Sequence, residues 1–285
     1  MPRCGRLQLD VNGPLVSALD AAELLAAYDA QLRARIPDRL PSGEQVERDG
    51  PVVRIWGGPS GGWVLYRDLG GLEGAELDEL IGRQVRFFAE RGDRFEWKLH
   101  GHDLPADLPD RLCTAGFEAE ETETVVIASV ADVTAPPSLP EGVSLREVTE
   151  RHDFERIARM EEEVWQLEHS RLADMLEAER SVDPEAISIV AAEADAAVLC
   201  AAWIRFERGT HFATLWGGAT LPPWRRRGIY KATVAYRANL AEQRGFRYLE
   251  VDASDDSRPI LERLGFMPVT TTTPYVWRPS ANSSA

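Results

Sequence analysis

Phe212-Ala213-Thr214-Leu215-Trp216-Gly217-Gly218-Ala219-Thr220-Leu221 is an apolar run with the character of a strand. Pro222-Pro223 ends it, because proline cannot donate to a sheet ladder. Trp224-Arg225-Arg226-Arg227-Gly228 comes next. From Ile229 to about Arg244 the sequence then sets Ala232, Ala235, Tyr236, Asn239 and Leu240 at helical offsets, up to a C-cap glycine, Gly245. Tyr248 to Ser254 reads as a second strand, and a short helix from Arg258 to Leu264 stops at Gly265-Phe266. The basic turn between strand and helix has the chemistry of an anion site. The first amides of a helix lack partners within it, and the helix dipole places partial positive charge there. Gly228 allows close approach to the backbone, and the arginines add forked donors suited to phosphate oxygens.

This arrangement resembles the GNAT superfamily (the Gcn5-related N-acetyltransferases), whose coenzyme motif Arg/Gln-x-x-Gly-x-Gly/Ala stands here as Arg225-Arg226-Arg227-Gly228-Ile229-Tyr230. Ser257 to Phe266 resembles the family's closing helix and Gly-Phe, and the likeness covers roughly Val143 to Trp277. It implies an α/β (α+β) fold, with a mixed, mostly antiparallel central sheet flanked by helices. It also implies acetyl-CoA as co-substrate and a primary amine, free or on a peptide, as acceptor. By the same resemblance the pyrophosphate would lie on Arg225, Arg226, Arg227, Gly228, Ile229, Tyr230 and Lys231. The pantetheine arm would pair with Gly218, Ala219, Thr220 and Leu221 like an added strand. Acceptor contacts would come from the first two helices of the domain, where Glu163 and His169 stand, with Trp216 from the aromatic set. Two positions depart from the family pattern. Tyr230 replaces the last Gly/Ala, and Leu261 occupies the place where many members carry a tyrosine that protonates the leaving thiolate.

A base must also take a proton from the amine. Tyr248, Glu250, Asp252 and Ser254 share one face of their strand by period two, and Leu249, Val251 and Ala253 share the other. A polar face on a central strand must meet a wet cavity or hydrogen-bond partners. Asp252 and Glu250 are therefore candidate bases, and Ser254 could assist the thiolate.

The chain has 285 residues, 44% of them hydrophobic, and a net charge of -15. That charge argues against nucleic acid or an anionic membrane as main partners. Cys4, Cys113 and Cys200 give neither a disulfide framework nor a zinc pattern, so no metal is expected. With no signal peptide and no run of membrane-spanning length, the expectation is a soluble cytoplasmic protein. The oligomeric state is left open, a homodimer included.

The first half echoes the second. Leu15 to about Arg35 and Gly74 to Arg91 read as helices. Gln45 to Trp56, Trp63 to Tyr66, Arg94 to His100 and Thr122 to Val130 read as strands, and Leu108 to Ala115 as a short helix before Gly116-Phe117. Strand, helix, strand, helix and Gly-Phe recur in the same order, which predicts two GNAT-like domains in tandem. Residues 1–134 would form a degenerate copy and 142–285 the catalytic one, joined by a proline-rich linker at 135–141. Between strand and helix the first copy has Arg67 to Gly74, which lacks the coenzyme motif and carries Asp68 and Glu73, repulsive to phosphate. In the second copy Val143 to Val148, Ile187 to Glu193, Ala197 to Phe206 and Thr270 to Trp277 read as strands. Asp153 to Trp165 and Ser170 to Glu179 read as helices, and 280–285 as a frayed tail. The leading reading is an acetyl-CoA-dependent N-acetyltransferase. The alternatives are a non-enzymatic acyl-CoA-binding module and a transferase of a longer acyl group.

Overall fold

The computed structural model describes residues 20–58 and 61–279. Leu15, Leu19, Pro59, Ser60, residues 1–14 and the tail at 280–285 lie outside the described residues. In the first half the elements are α1 (Ala21–Gln31), β1 (Gln45–Asp49), β2 (Val52–Gly58), β3 (Gly61–Leu65), α2 (Gly74–Ala89), β4 (Phe95–His100), α3 (Leu108–Thr114), β5 (Glu118–Ala119), β6 (Glu123–Ser129) and α4 (Val130–Val133). The second half adds β7 (Ser144–Val148), α5 (Arg151–Trp165), α6 (Ser170–Val182), β8 (Ile187–Ala194), β9 (Ala197–Phe206), β10 (Phe212–Thr220), α7 (Ile229–Gln243), β11 (Tyr248–Ala253), α8 (Arg258–Glu262) and β12 (Met267–Trp277). No helix among the described residues is long and apolar enough to cross a membrane.

The single strand expected over Gln45 to Trp56 is instead a hairpin. Gly50 adopts φ +61 before Pro51, the chain reverses, and Gln45 comes to face Trp56. Glycine reaches that backbone region at no steric cost, and a two-residue turn then sets the register.

All twelve strands join one mixed sheet, ordered β1-β2-β3-β4-β12-β6-β11-β10-β9-β8-β7, with β5 on β12. Each half contains one parallel pair, β3 with β4 and β10 with β11. Beyond those pairs the halves exchange strands. β6 from the first half lies antiparallel to β11, from Tyr248–Ser129 to Ala253–Thr124. β12, the last strand of the chain, runs antiparallel to β4 and to β6. The burial of β6 follows from that seat, because a central strand is covered on both faces. Val126 and Ala128 pack with Val234 and Ala238 of α7. Val125 and Ile127 pack with Leu24 and Tyr28 of α1 and with Phe212 and Tyr248. Each half is thus completed by a strand that the other half supplies in sequence.

Strand exchange makes separated halves unstable. Fragments 1–134 and 135–285 expressed alone are expected to show no cooperative thermal transition by circular dichroism. Co-expression should restore a single transition. A separated second half that melts cooperatively at the full-length temperature would contradict this.

Candidate active site

β10 and β11 are paired only at Phe212–Tyr248, Ala213–Leu249 and Thr214–Glu250, although both strands continue past that point. The gap between the diverging strands is the mouth of the site. Along β10 the register with β9 slips between Gly217 and Ala219, so Gly218 is the extra residue of a β-bulge. Gly217 and Gly218 have φ +67 and +97, and an added Cβ would come within 2.6 Å of the Trp203 ring at Gly217 and of the Tyr230 ring at Gly218. The large Tyr230 therefore lies in space that Gly218 leaves open. Arg237 of α7 is fully buried and donates from Nη1 to the carbonyls of Trp203 (3.1 Å) and Trp216 (3.0 Å), clamping β9 to β10 beside the bulge.

After Pro222-Pro223-Trp224, Arg225 donates from Nε to the Thr220 carbonyl at 3.0 Å, and Arg226 and Gly228 take positive φ, +62 and +84. Gly228 caps α7 without any side-chain hydrogen bond. Among the described residues no acceptor meets the backbone N–H groups of Arg226 to Lys231. The corresponding turn of the first half differs. Asp68 Oδ1 accepts from the Gly70 N–H at 3.0 Å, and α2 has Glu73 as its N-cap and Glu76 in its first turn. Carboxylates therefore stand where an anion would approach.

Residues 151–266 match the model of the acetyltransferase (GNAT) family. The C-terminal half belongs to the GNAT superfamily. Across nearly the whole chain the fold is that of solved GNAT structures. A Gcn5-related N-acetyltransferase from Kribbella flavida is similar at TM-score 0.64 and 17% identity, over 93% of this chain and 97% of that one. One from Sphaerobacter thermophilus is similar at 0.60 and 15%, over 93% and 94%. A tandem GNAT protein from the clavulanic acid biosynthesis pathway is similar at 0.60 and 15%, over 91% and 95%. No curated protein matches the sequence.

In this tandem GNAT fold the gap between β10 and β11 opens into a cavity of about 1370 Å³ shared by both halves. Its wall includes Gly218, Ala219, Thr220, Arg225, Arg226, Gly228, Ile229, Tyr230, Lys231, Trp216, Glu250, Asp252 and Ser254. Leu221 and Arg227 are not part of it. Leu221 packs beneath the strand with Ile229 and Leu199, and the Arg227 guanidinium lies over Trp224 at 4.8 Å. Glu163 and His169, expected at the acceptor, are not part of the wall either, because α5 turns its Val164–Trp165 edge inward. The Glu163 carbonyl accepts from Gln166 Nε2, and the His169 N–H donates to Glu162. Ser257, beside Ser254 (Oγ to Oγ 3.2 Å), joins the wall. Leu261 is fully buried in the apolar core under β11, so no acid stands at that position. Among the described residues no three His, Cys, Asp or Glu side chains are grouped to hold a metal.

The first half contributes charged groups that the motif analysis missed. Lys98 of β4 forms an ion pair with Asp252 of β11, although two strands separate them in the sheet order, so the sheet folds toward itself on this face. Asp252 raises the Lys98 pKa well above the usual lysine range despite burial. Burial pushes Glu250 well up, and the Asp252 charge adds to it. Glu123 of β6 is pushed up to about 7 by burial and then by the Asp252 charge. A smaller chamber of about 240 Å³ continues past Trp216, Glu250 and Asp252 to Tyr28 and His100, whose side chains meet at 3.0 Å.

Glu123 sets a pH test. Its folded pKa of about 7 lies above the unfolded value of about 4.3, so the folded state holds its proton longer and stability from this group falls as pH rises between them. Glu123→Gln is expected to melt higher than wild type at pH 8 and to match it near pH 4, by calorimetry. Equal or lower melting at pH 8 would contradict the buried placement.

Proposed function

We propose that the chain is an acyl-CoA-dependent N-acyltransferase, with acetyl-CoA as the donor and a primary amine as the acceptor. One observation carries the reading. Among the described residues the N–H groups of Arg226 to Lys231 are without acceptors, at the end of a strand whose neighbour has moved away and beside the basic side chains of Arg225, Arg226 and Lys231, whereas the turn of the first half carries Asp68, Glu73 and Glu76 instead. That chemistry suits a diphosphate. The site fits in shape as well. Gly228 has open space above it, its nearest neighbour being the Ser138 carbonyl at 3.9 Å from an added Cβ, and β10 offers an unpaired edge beyond Thr214. A cavity of about 1370 Å³ exceeds the roughly 300–1,000 Å³ of a single small-ligand pocket, as a two-substrate site requires.

When bound, the coenzyme supplies a thioester whose carbon–sulfur bond breaks as the amine nitrogen bonds to its carbonyl carbon, leaving one proton on the thiol and one for a base. The chain's own residues do the rest. Arg225, Arg226 and Lys231, with the α7 amides, would hold the diphosphate. The bulge at Gly217–Gly218, fixed by Arg237, sets the strand edge along which the pantetheine arm would pair. Glu123 changes protonation near neutrality and lines the cavity, which suits a base acting through water. Asp252 is tied to Lys98, and burial pushes the Glu250 carboxyl well above the usual carboxylate range, so both serve better to position the amine than to take its proton. Ser254 and Ser257 are hydroxyls in the cavity wall that could give a proton to the leaving thiolate.

A second reading is favoured by Leu261. With an apolar residue buried at the position of the usual acid, a domain that binds acyl-CoA without turnover would look the same at the turn. Release of free thiol above the hydrolysis background in a screen of amines separates the two. For the coenzyme itself, Gly228→Asp places a carboxylate among the α7 amides. It should weaken acetyl-CoA binding at least about tenfold by calorimetry, a loss of about 1.4 kcal/mol. Equal affinity with an unchanged melting temperature would remove the proposal.

A further inference from the structure

Five of the eight tryptophans line the large cavity. Trp224 belongs to the coenzyme turn, under Arg227. The other four come from both halves: Trp63 on β3, Trp165 at the end of α5, Trp203 on β9 and Trp216 on β10. Two of them are unusually exposed for their size, Trp165 at 54% and Trp216 at 40%. Neither is loose. Trp165 Nε1 donates to Glu161 Oε2 at 2.6 Å, and Trp216 Nε1 donates to Thr214 Oγ1 at 2.8 Å. One face of Trp216 is also covered by the Arg205 guanidinium at 4.3 Å, which Glu179 holds in turn. Indoles whose polar handles are satisfied inside the protein, and whose rings are left half in water, form a rigid apolar platform whose ordering is already complete before a ligand arrives. Exposed apolar surface gathered at one place marks a binding surface.

The charges in the wall limit what can sit there. Glu179, Asp183, Glu207 and Asp252 are already paired, with Arg205, Arg208, Arg35 and Lys98. Glu44, Glu96, Glu123 and Glu250 are held toward the neutral form by burial, which leaves Asp38 and Asp256 as the wall carboxylates without an ion pair among the described residues. A polycation such as a polyamine or an aminoglycoside would need several free carboxylates and would find few. One amino group beside Glu250 can donate to Asp252 Oδ1, a buried oxygen without a hydrogen-bond partner among the described residues, and that is what the wall can match.

We infer that the acceptor is a primary amine on an aromatic or similarly flat apolar body, its ring among Trp63, Trp165, Trp203 and Trp216 and its amino group at Glu250–Asp252. This rests on the acyltransferase reading for the chemistry but not for the binding. The reading also assigns a task to the first half, since Trp63 and Lys98 belong to it.

Binding of 2-phenylethylamine, propylamine and spermidine to the full chain, followed by calorimetry and tryptophan fluorescence, tests the inference, with a parallel titration of CoA. 2-Phenylethylamine should bind at least about tenfold more tightly than propylamine and more tightly than spermidine. Trp165→Ala should remove most of that preference while propylamine and CoA affinities stay as in wild type. Propylamine or spermidine binding as well as 2-phenylethylamine would overturn the inference, as would a Trp165→Ala variant with the preference intact. Loss of CoA binding with the aromatic preference retained would remove the acyltransferase reading and leave this inference standing.

Discussion

β10 and β11 share ladder hydrogen bonds only from Phe212–Tyr248 to Thr214–Glu250, and the site follows from what each strand does once it loses the other. A backbone edge inside a sheet is normally paired, since a buried N–H or C=O without a partner is costly. Past Thr214, β10 is paired on its β9 side alone, and it needs a ligand, water or a bulge on the other. The Gly217–Gly218 bulge re-aims the strand, and Arg237 secures it from below through the Trp203 and Trp216 carbonyls. β11 has a different solution. Its opposite edge is paired along its full length by β6 from the other half, and Glu250, Asp252 and the neighbouring Glu123 line the cavity.

The strand exchange links architecture to chemistry. In the sheet order β12 and β6 stand between β4 and β11, so the polar faces of the two parallel pairs look onto one space. Lys98 then meets Asp252 across it. The first half carries carboxylates at its own turn, where Asp68 closes on Gly70, and this sequence change fits a half that lines a wall instead of holding a diphosphate. Its core is well packed, with Phe88 stacked on Phe95 at 4.1 Å, so a turn without the basic motif does not loosen the fold.

Much of the second half was legible because its signals are local. Pro222-Pro223 stops a strand, Gly228 starts α7 and Gly245 closes it, and period two sorts Glu250 and Asp252 from Leu249 and Val251. The bulge was present in the sequence as Gly217-Gly218 but reads as plain strand until its register with β9 is known. The Gly50-Pro51 hairpin was missed because β1, Gln45-Val46-Glu47-Arg48-Asp49, is polar and exposed and carries no apolar alternation to set it apart from β2. Glu123, Lys98 and Trp63 were beyond sequence reading for a deeper reason. Each looks like an ordinary strand residue of the first half, and nothing in a strand's own period names the strand it will pair with. Glu163 and His169 failed in the opposite sense, since proximity in sequence to Trp165 did not bring them to the same side of the helix end.

The central claim is that one helix mouth holds the coenzyme and its counterpart does not. Hydrogen–deuterium exchange of the full chain with and without acetyl-CoA tests it most directly. The account predicts slowed exchange at residues 226–231 and along 215–220, with no change at 67–74. Unchanged exchange at 226–231, or protection at 67–74 in its place, would contradict it.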